Sequence, residues 1–294
     1  MSTTVSPLGT AGDAGRRRRR LVDLAVTGVM VLVVAAVLAL LIWVLVYVTL
    51  QGLDAIGPHF FTDTPPGNPG AAGGGFANGI VGSLIIVGLA TAMAVPLGVA
   101  AAVYLAEYGQ RRIAAGIRFL TDTMLGIPSI VTGAFVYAFI VLRFGFSGYA
   151  GAVALALVMF PLVIRASEEM LRLVPDEHRE ASLALGASRA RTSVSVVLPV
   201  ALSGIITGVM LAVARAMGET APLLLTALGN DLFMQTNPSE RMSTLSLQIF
   251  GNAITGFQEA QARAWAGALT LIGIVLIATV IARLAARRSP IVPH

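Results

Sequence analysis

From Leu24 to Val48 the chain carries no charged side chain. A helix of about 20 apolar residues crosses the hydrocarbon core of a bilayer, and this run exceeds that length. Five more apolar runs follow: Ile80–Leu105, Phe119–Leu142, Tyr149–Ile164, Ala201–Leu224 and Trp265–Leu284. Six such runs predict an all-α integral membrane protein with six transmembrane helices. Composition agrees: 56% of the residues are hydrophobic and 12% charged, where soluble domains carry about 25% charge. A signal peptide is the rival reading of the first run, but its apolar core spans only about 7–15 residues. Leu24–Val48 is therefore read as an uncleaved first helix. Pro96 is expected to kink the second.

The segments between the runs are polar or rich in Pro and Gly. Met1–Gly15 is small and polar and is expected to be disordered. Residues 1–22 form an N-terminal tail, 23–50 the first helix, 51–77 a loop, 78–286 the remaining membrane domain and 287–294 a second tail. The loop holds Pro58, Pro65, Pro66, Pro69 and the triplet Gly73–Gly75. Backbone groups in lipid must be bonded internally, so this stretch lies outside the membrane. No Gly-Lys-Ser/Thr follows the triplet, so it is not a phosphate-binding loop of the nucleotide-hydrolase kind.

Arginine orients the helices. Lysine is absent, and the net charge of +5 is carried by Arg. With six spans, one side holds Arg16–Arg20, Arg111, Arg112, Arg118, Arg165, Arg172, Arg179, Arg189, Arg191, Arg283, Arg287 and Arg288. The other holds Arg143, Arg241 and Arg263. The positive-inside rule predicts both termini in the cytoplasm of a multi-pass inner or plasma membrane protein. Without Lys the chain has no ATPase P-loop of its own, so an enzyme is not expected. Cysteine is absent, and His59, His178 and His294 lack ligand spacing, so neither metal nor cofactor is expected. Partners are lipid and other proteins rather than nucleic acid.

Two places carry candidate function. Residues 175–198 open with Pro175, Asp176 and Glu177, which favour a helix start, and reach Gly186, which favours a helix end. On physics alone this is either an interfacial amphipathic helix or a helix that docks a partner. Further on, Gly204, Gly208, Ala212, Ala216 and Thr220 form a small-residue stripe along the fifth run, suited to close helix packing. Arg215 and Glu219 flank the stripe four residues apart and can pair. Pro222 has no N–H for the Gly218 carbonyl, so a bend or unwound turn is expected beside them. The pair is either a staple between helices or part of an anion path, in which Arg215 attracts and Glu219 keeps binding shallow.

Weaker candidates are Arg165, Ser129 and Thr132. Arg165 is either a snorkelling topology charge or part of an inner vestibule. Ser129 and Thr132 either offer hydroxyls to an oxyanion or bond backbone freed by Pro128. Asp122 and Thr123 suit capping or interface contacts.

Glu180-Ala181-Ser182, three residues, Gly186, nine residues, then Val196-Val197-Leu198-Pro199 resembles the EAA motif of ABC importer permeases. Ser182 stands for the motif's second Ala and Val196 for its Ile, both small changes. The resemblance implies a coupling helix that docks an ATPase through Glu180, Ala181, Ser182, Leu183, Leu185, Gly186 and Ala187. Ala214–Leu224 (ARAMGETAPLL), Val95–Gly109 and Gly126–Gly133 resemble phosphate-specific ABC permeases. Ser243–Gly251 and Ala264–Leu271 are closer to the PstA-type branch than to its sister. The likeness covers residues 76–285.

It implies a type I ABC importer permease (MetI-like) fold. It also implies a sister permease (PstC-like), two ATP-binding subunits (PstB-like) and an extracytoplasmic phosphate-binding protein (PstS-like). The substrate path it implies runs past Arg215, Gly218, Glu219 and Thr220. A permease for sulfate or molybdate keeps the class and changes the cargo. An ion-coupled carrier would not need residues 175–198, and a structural or sensory protein would leave Arg215 and Glu219 without a purpose.

Overall fold

A computed structural model describes residues 11–109 and 111–287. The chain divides after Leu50 into two compact units. The first is almost entirely α1 (Ala11–Leu53), whose apolar side chains, such as Leu32, Leu38 and Trp43, stand exposed. It begins inside the stretch expected to be disordered. Ala and Arg are good helix formers, and they extend the helix below the apolar run. The rest of that tail and residues 288–294 lie outside the described residues.

In the second unit the order is α2 (Pro58–Thr62), α3 (Ala77–Val103), α4 (Arg111–Gly126), α5 (Ser129–Val136), α6 (Leu142–Phe144) and α7 (Gly148–Arg172). Then come α8 (Asp176–Ala184), α9 (Arg189–Thr192), α10 (Leu198–Gly218), α11 (Ala221–Leu224), α12 (Leu245–Ala253) and α13 (Gln258–Arg287). Wide π-helical turns extend α3 over Tyr104–Tyr108, join α5 to α6 over Tyr137–Val141, and lead into α10 over Ser193–Val197. Among the described residues five helices are long and apolar enough to cross a membrane, and a bent pair makes a sixth candidate.

The bent pair differs from the single third helix expected over Phe119–Leu142. The chain turns by 102° between residues 112–126 and 129–144. Pro128 explains the break: the residue before a proline is pushed out of the helical region, and Pro128 itself has ψ 134°. The fifth helix also stops short of Leu224. It ends at Gly218, and Glu219 is extended, because Pro222 cannot donate to the turn before it. Helix α3 runs through Pro96 without interruption.

The core lies where α3, α7 and α10 meet. Ile86, Ala90, Leu155, Met159, Val163, Ala212 and Leu223 are buried there. Small residues set the spacing. A Cβ on Gly98 of α3 would lie 2.7 Å from Val163, and one on Gly208 of α10 would lie 2.5 Å from Ala166 of α7. The four-residue stripe is thus the face that α10 turns to α7. A second cluster, with Leu171, Val174, Val197 and Ile205, closes the end that carries α8. A third, with Phe60, Phe76, Leu245 and Ala266, closes the opposite, loop-bearing end.

Candidate functional site

The break after α10 is held open by hydrogen bonds to α12. Ser246 Oγ donates to the Glu219 carbonyl at 2.8 Å, and the amides of Leu223 and Leu224 both bond the Thr220 carbonyl at 3.1 Å. Polar backbone at depth is tolerated when it is satisfied in this way. Next to it, Arg215 Nε lies 3.4 Å from Glu219 Oε1. The Glu219 side chain is 13% exposed and that of Arg215 52%. This is one long contact for a guanidinium with five N–H donors. No other hydrogen bond of the Arg215 side chain occurs among the described residues.

Arg215 faces a small cleft of about 30 Å³ that also takes in Ser129, Thr132, Leu157, Val158 and Pro161. Three of the candidate residues therefore meet, although two lie on α5 and one on α10. Among the described hydrogen bonds none satisfies either α5 hydroxyl, so the cleft presents a cation and two free hydroxyls. Gly133 fixes the approach of α5, since a Cβ there would lie 2.6 Å from the Pro222 Cα. Gly218 is on the open side, with nothing within 4 Å of an added Cβ. Among the described residues the Thr220 side chain makes only a long bond, 3.5 Å, to the Ser246 carbonyl.

Arg165 is not part of that cleft's lining. It sits between two acids, 2.9 Å from Glu169 Oε1 and 3.8 Å from Asp122 Oδ1. Thr123 bonds its own helix at the Phe119 carbonyl.

At the α8 end the structure orders residues 175–198 closely. Gly186 has φ +84°, a left-handed conformation in which glycine pays no steric penalty. Its amide bonds Leu183 O at 2.9 Å and that of Ala187 bonds Ser182 O at 3.2 Å, which closes the C-terminus of α8. Glu180, Ala181, Leu183 and Gly186 are exposed, and Leu185 is 89% exposed. Ser182 uses the hydroxyl that the motif's alanine lacks, pairing with Thr192 Oγ1 at 2.9 Å.

Sequence reasoning missed the ion pairs that hold this end. Glu168 is 3% exposed and lies 2.7 Å from Arg118 Nε and 2.6 Å from Arg172 Nη2. Arg179, counted from sequence among the orienting charges, reaches Glu107 at 2.9 Å. Glu168 and Arg172 have the four-residue spacing of one helix face, but no local signal marks the other two pairs, whose partners lie 50 and 72 positions apart.

At the opposite end Arg263 is buried and donates to the Pro69, Ala71 and Gly73 carbonyls at 2.7, 2.7 and 3.2 Å. The Pro/Gly loop is thereby clamped onto α13. Nearby, Gln248 bonds Asn78 and Asp231, and Ser243 also bonds Asp231. No group of three or more His, Cys, Asp or Glu side chains suited to a metal occurs among the described residues.

Comparison with known proteins gives consistent findings. The family model described as binding-protein-dependent transport system inner membrane component matches residues 94–289. The phosphate transport system permease protein PstA of Yersinia pestis is 46% identical over 83% of this chain and 82% of its own length. That of Xylella fastidiosa is 40% identical over 97% of this chain and 99% of its own length. PstA 1 of Mycobacterium tuberculosis is 40% identical over 82% of this chain and 79% of its own length. Among solved structures, a chain of a bacterial alginate ABC transporter aligns with TM-score 0.59 at 12% identity, over 92% of this chain and 94% of that one. A chain of an inward-facing MetNI methionine ABC transporter aligns with TM-score 0.53 at 19% identity, over 72% of this chain and 93% of that one. At these identities the two structural likenesses speak to fold.

Proposed function

This chain belongs to the family of binding-protein-dependent transport system inner membrane components, and within it we propose that it is the transmembrane permease subunit of an ATP-driven importer of inorganic phosphate. One observation carries the residue-level reading. Arg215 stands half exposed at the break of α10, held by a single long contact and facing the Ser129 and Thr132 hydroxyls. A planar guanidinium matches two phosphate oxygens at once, and hydroxyls donate to the remainder. Glu219 competes for the same cation, which keeps the anion from binding too tightly to leave. Gly218 and Thr220 flank Glu219 at the break beside that cleft, where Ser246 of α12 holds the Glu219 carbonyl.

The relatives named as phosphate transport permeases support the cargo. The excess of arginine at the α8 end supports a cytoplasmic position for that end and for both termini. Residues 51–77 then form an extracytoplasmic loop and 78–286 the transport domain. The exposed Glu180, Ala181, Leu183 and Leu185 dock an ATP-binding subunit, with Ser182, Gly186 and Ala187 shaping the turn. A sister permease completes the path, and a phosphate-binding protein delivers to the loop end.

The direct test is uptake of radiolabelled phosphate into proteoliposomes. ATP-dependent accumulation is expected only with the ATP-binding subunits, the sister permease and the binding protein present. Accumulation of sulfate or molybdate with none of phosphate would overturn the cargo. Orientation has its own test, helped by the absence of cysteine. Ala71→Cys and Ser239→Cys should react with an impermeant thiol reagent outside intact cells, and Ser188→Cys only after permeabilisation.

A further inference from the structure

Arg179 joins three elements at one guanidinium. Nε and Nη2 donate to Glu107 Oε1 at 3.1 and 2.9 Å. Nη2 also donates to the Leu171 carbonyl at 2.9 Å, and Nη1 to the Val174 carbonyl at 2.6 Å and to Asp176 at 3.1 Å. Glu107 belongs to the wide turn that ends α3, Leu171 to the last turn of α7, and Val174 to the short link into α8. With five donors the side chain is saturated. Exposure of 19% for Arg179 and 10% for Glu107 keeps water from competing. The fork geometry fixes direction as well as distance.

The second connection from α8 to the membrane is of another kind. It runs through Gly186 and α9 to α10, and the side-chain bond between α8 and α9 among the described residues is the neutral Ser182–Thr192 pair. We propose that Arg179 and Glu107 are the positioning pair through which a displacement of α8 enters the membrane domain. On this assignment α8 and the adjoining ends of α3 and α7 move as one body, and α10, which carries Arg215, follows through the Gly186 link. The consequence at the cleft is specific. Leu157, Val158 and Pro161 of α7 form the wall that Arg215 faces, so turning α7 reshapes the cleft while Arg215 keeps its place on α10. Neither Arg179 nor Glu107 touches substrate, and the inference rests on the reading that α8 docks an ATPase.

The measurement is ATP hydrolysed per phosphate imported, in proteoliposomes holding the complete complex. Glu107→Gln keeps the shape and removes the charge. Arg179→Lys keeps the charge and removes the fork. Both variants are expected to assemble and hydrolyse ATP, with the ratio raised about fivefold or more, the lower range of a typical coupling between sites. Ser182→Ala, which cuts the α8–α9 bond, should raise it less. A ratio at the wild-type value in both variants would overturn the proposal, whether assembly is normal or reduced. So would failure of both to assemble, since the pair would then be architecture alone. A larger rise for Ser182→Ala than for Glu107→Gln would reassign the route to α10. If the wild-type complex accumulates no phosphate, the importer reading fails instead.

Discussion

Two arginine–glutamate pairs in this chain have the same chemistry and opposite construction. Arg179 and Glu107 lie 2.9 Å apart, nearly shielded from solvent, with every donor of the arginine occupied. Arg215 and Glu219 lie 3.4 Å apart, the arginine half exposed and its remaining donors open to the cleft. A saturated guanidinium has nothing left to offer a ligand and serves to hold elements together. An under-bonded one keeps its affinity for an incoming oxyanion. Partner count and exposure, rather than residue identity, separate the two uses.

The comparison breaks most visibly at Arg215. On the proposed function, in which Arg215 meets phosphate through two or more charge-assisted hydrogen bonds, Arg215→Gln should lower uptake by about 100-fold with assembly intact. The double variant Arg215→Gln/Glu219→Gln should stay inactive, as no cation remains. Full transport by the double variant at normal expression would reduce the pair to a staple between turns.

Glu168 at the opposite extreme should behave in the reverse way. It serves two arginines from a buried position, so Glu168→Gln should cost about 3 kcal/mol of stability, read as a lowered thermal unfolding midpoint of the purified protein. The protein that does fold should transport at an unchanged rate per molecule. Loss of transport without loss of stability would place Glu168 on the path.

Packing offers a smaller effect. Gly133→Ala puts a methyl 2.6 Å from Pro222 Cα, where backbone must yield, at about 1–3 kcal/mol. Uptake should fall severalfold more than in Gly218→Ala, which meets open space. Equal effects would detach α5 from the function of the break. The smallest shift is expected for Ser182→Ala, which removes one neutral bond to Thr192 worth about 1 kcal/mol. It is measured by thermal unfolding of the assembled complex.

The spans were legible because bilayer thickness fixes the length of an apolar run, and Leu24–Val48 or Trp265–Leu284 can satisfy it in few other ways. The stop at Gly186 was legible because one residue type suits its conformation. The third run was harder. Pro128 marked an interruption, but a turn of 102° depends on what α4 and α5 pack against, and a one-dimensional pattern does not hold that. The site divides in the same way. Arg215 and Glu219 announced themselves by cost, as charges inside an apolar run. Glu107, Arg118 and Glu168 sit in segments where charge is ordinary, so only the fold distinguishes them from solvated residues.

The contact of Gly133 with Pro222 has a kinematic consequence. Each residue lies close to where its own span is interrupted, one after the bend at Pro128 and the other after the stop at Gly218. Two interruptions packed so closely that a Cβ would not fit between them resist sliding along each other. Pivoting remains open to them. The third and fifth spans therefore share one fulcrum, and a swing of the segment bearing Glu219 obliges Ser129 and Thr132 to swing with it. The hydroxyl side of the cleft is thereby tied to the segment after the break, whereas its cation, Arg215, stands on α10 before it.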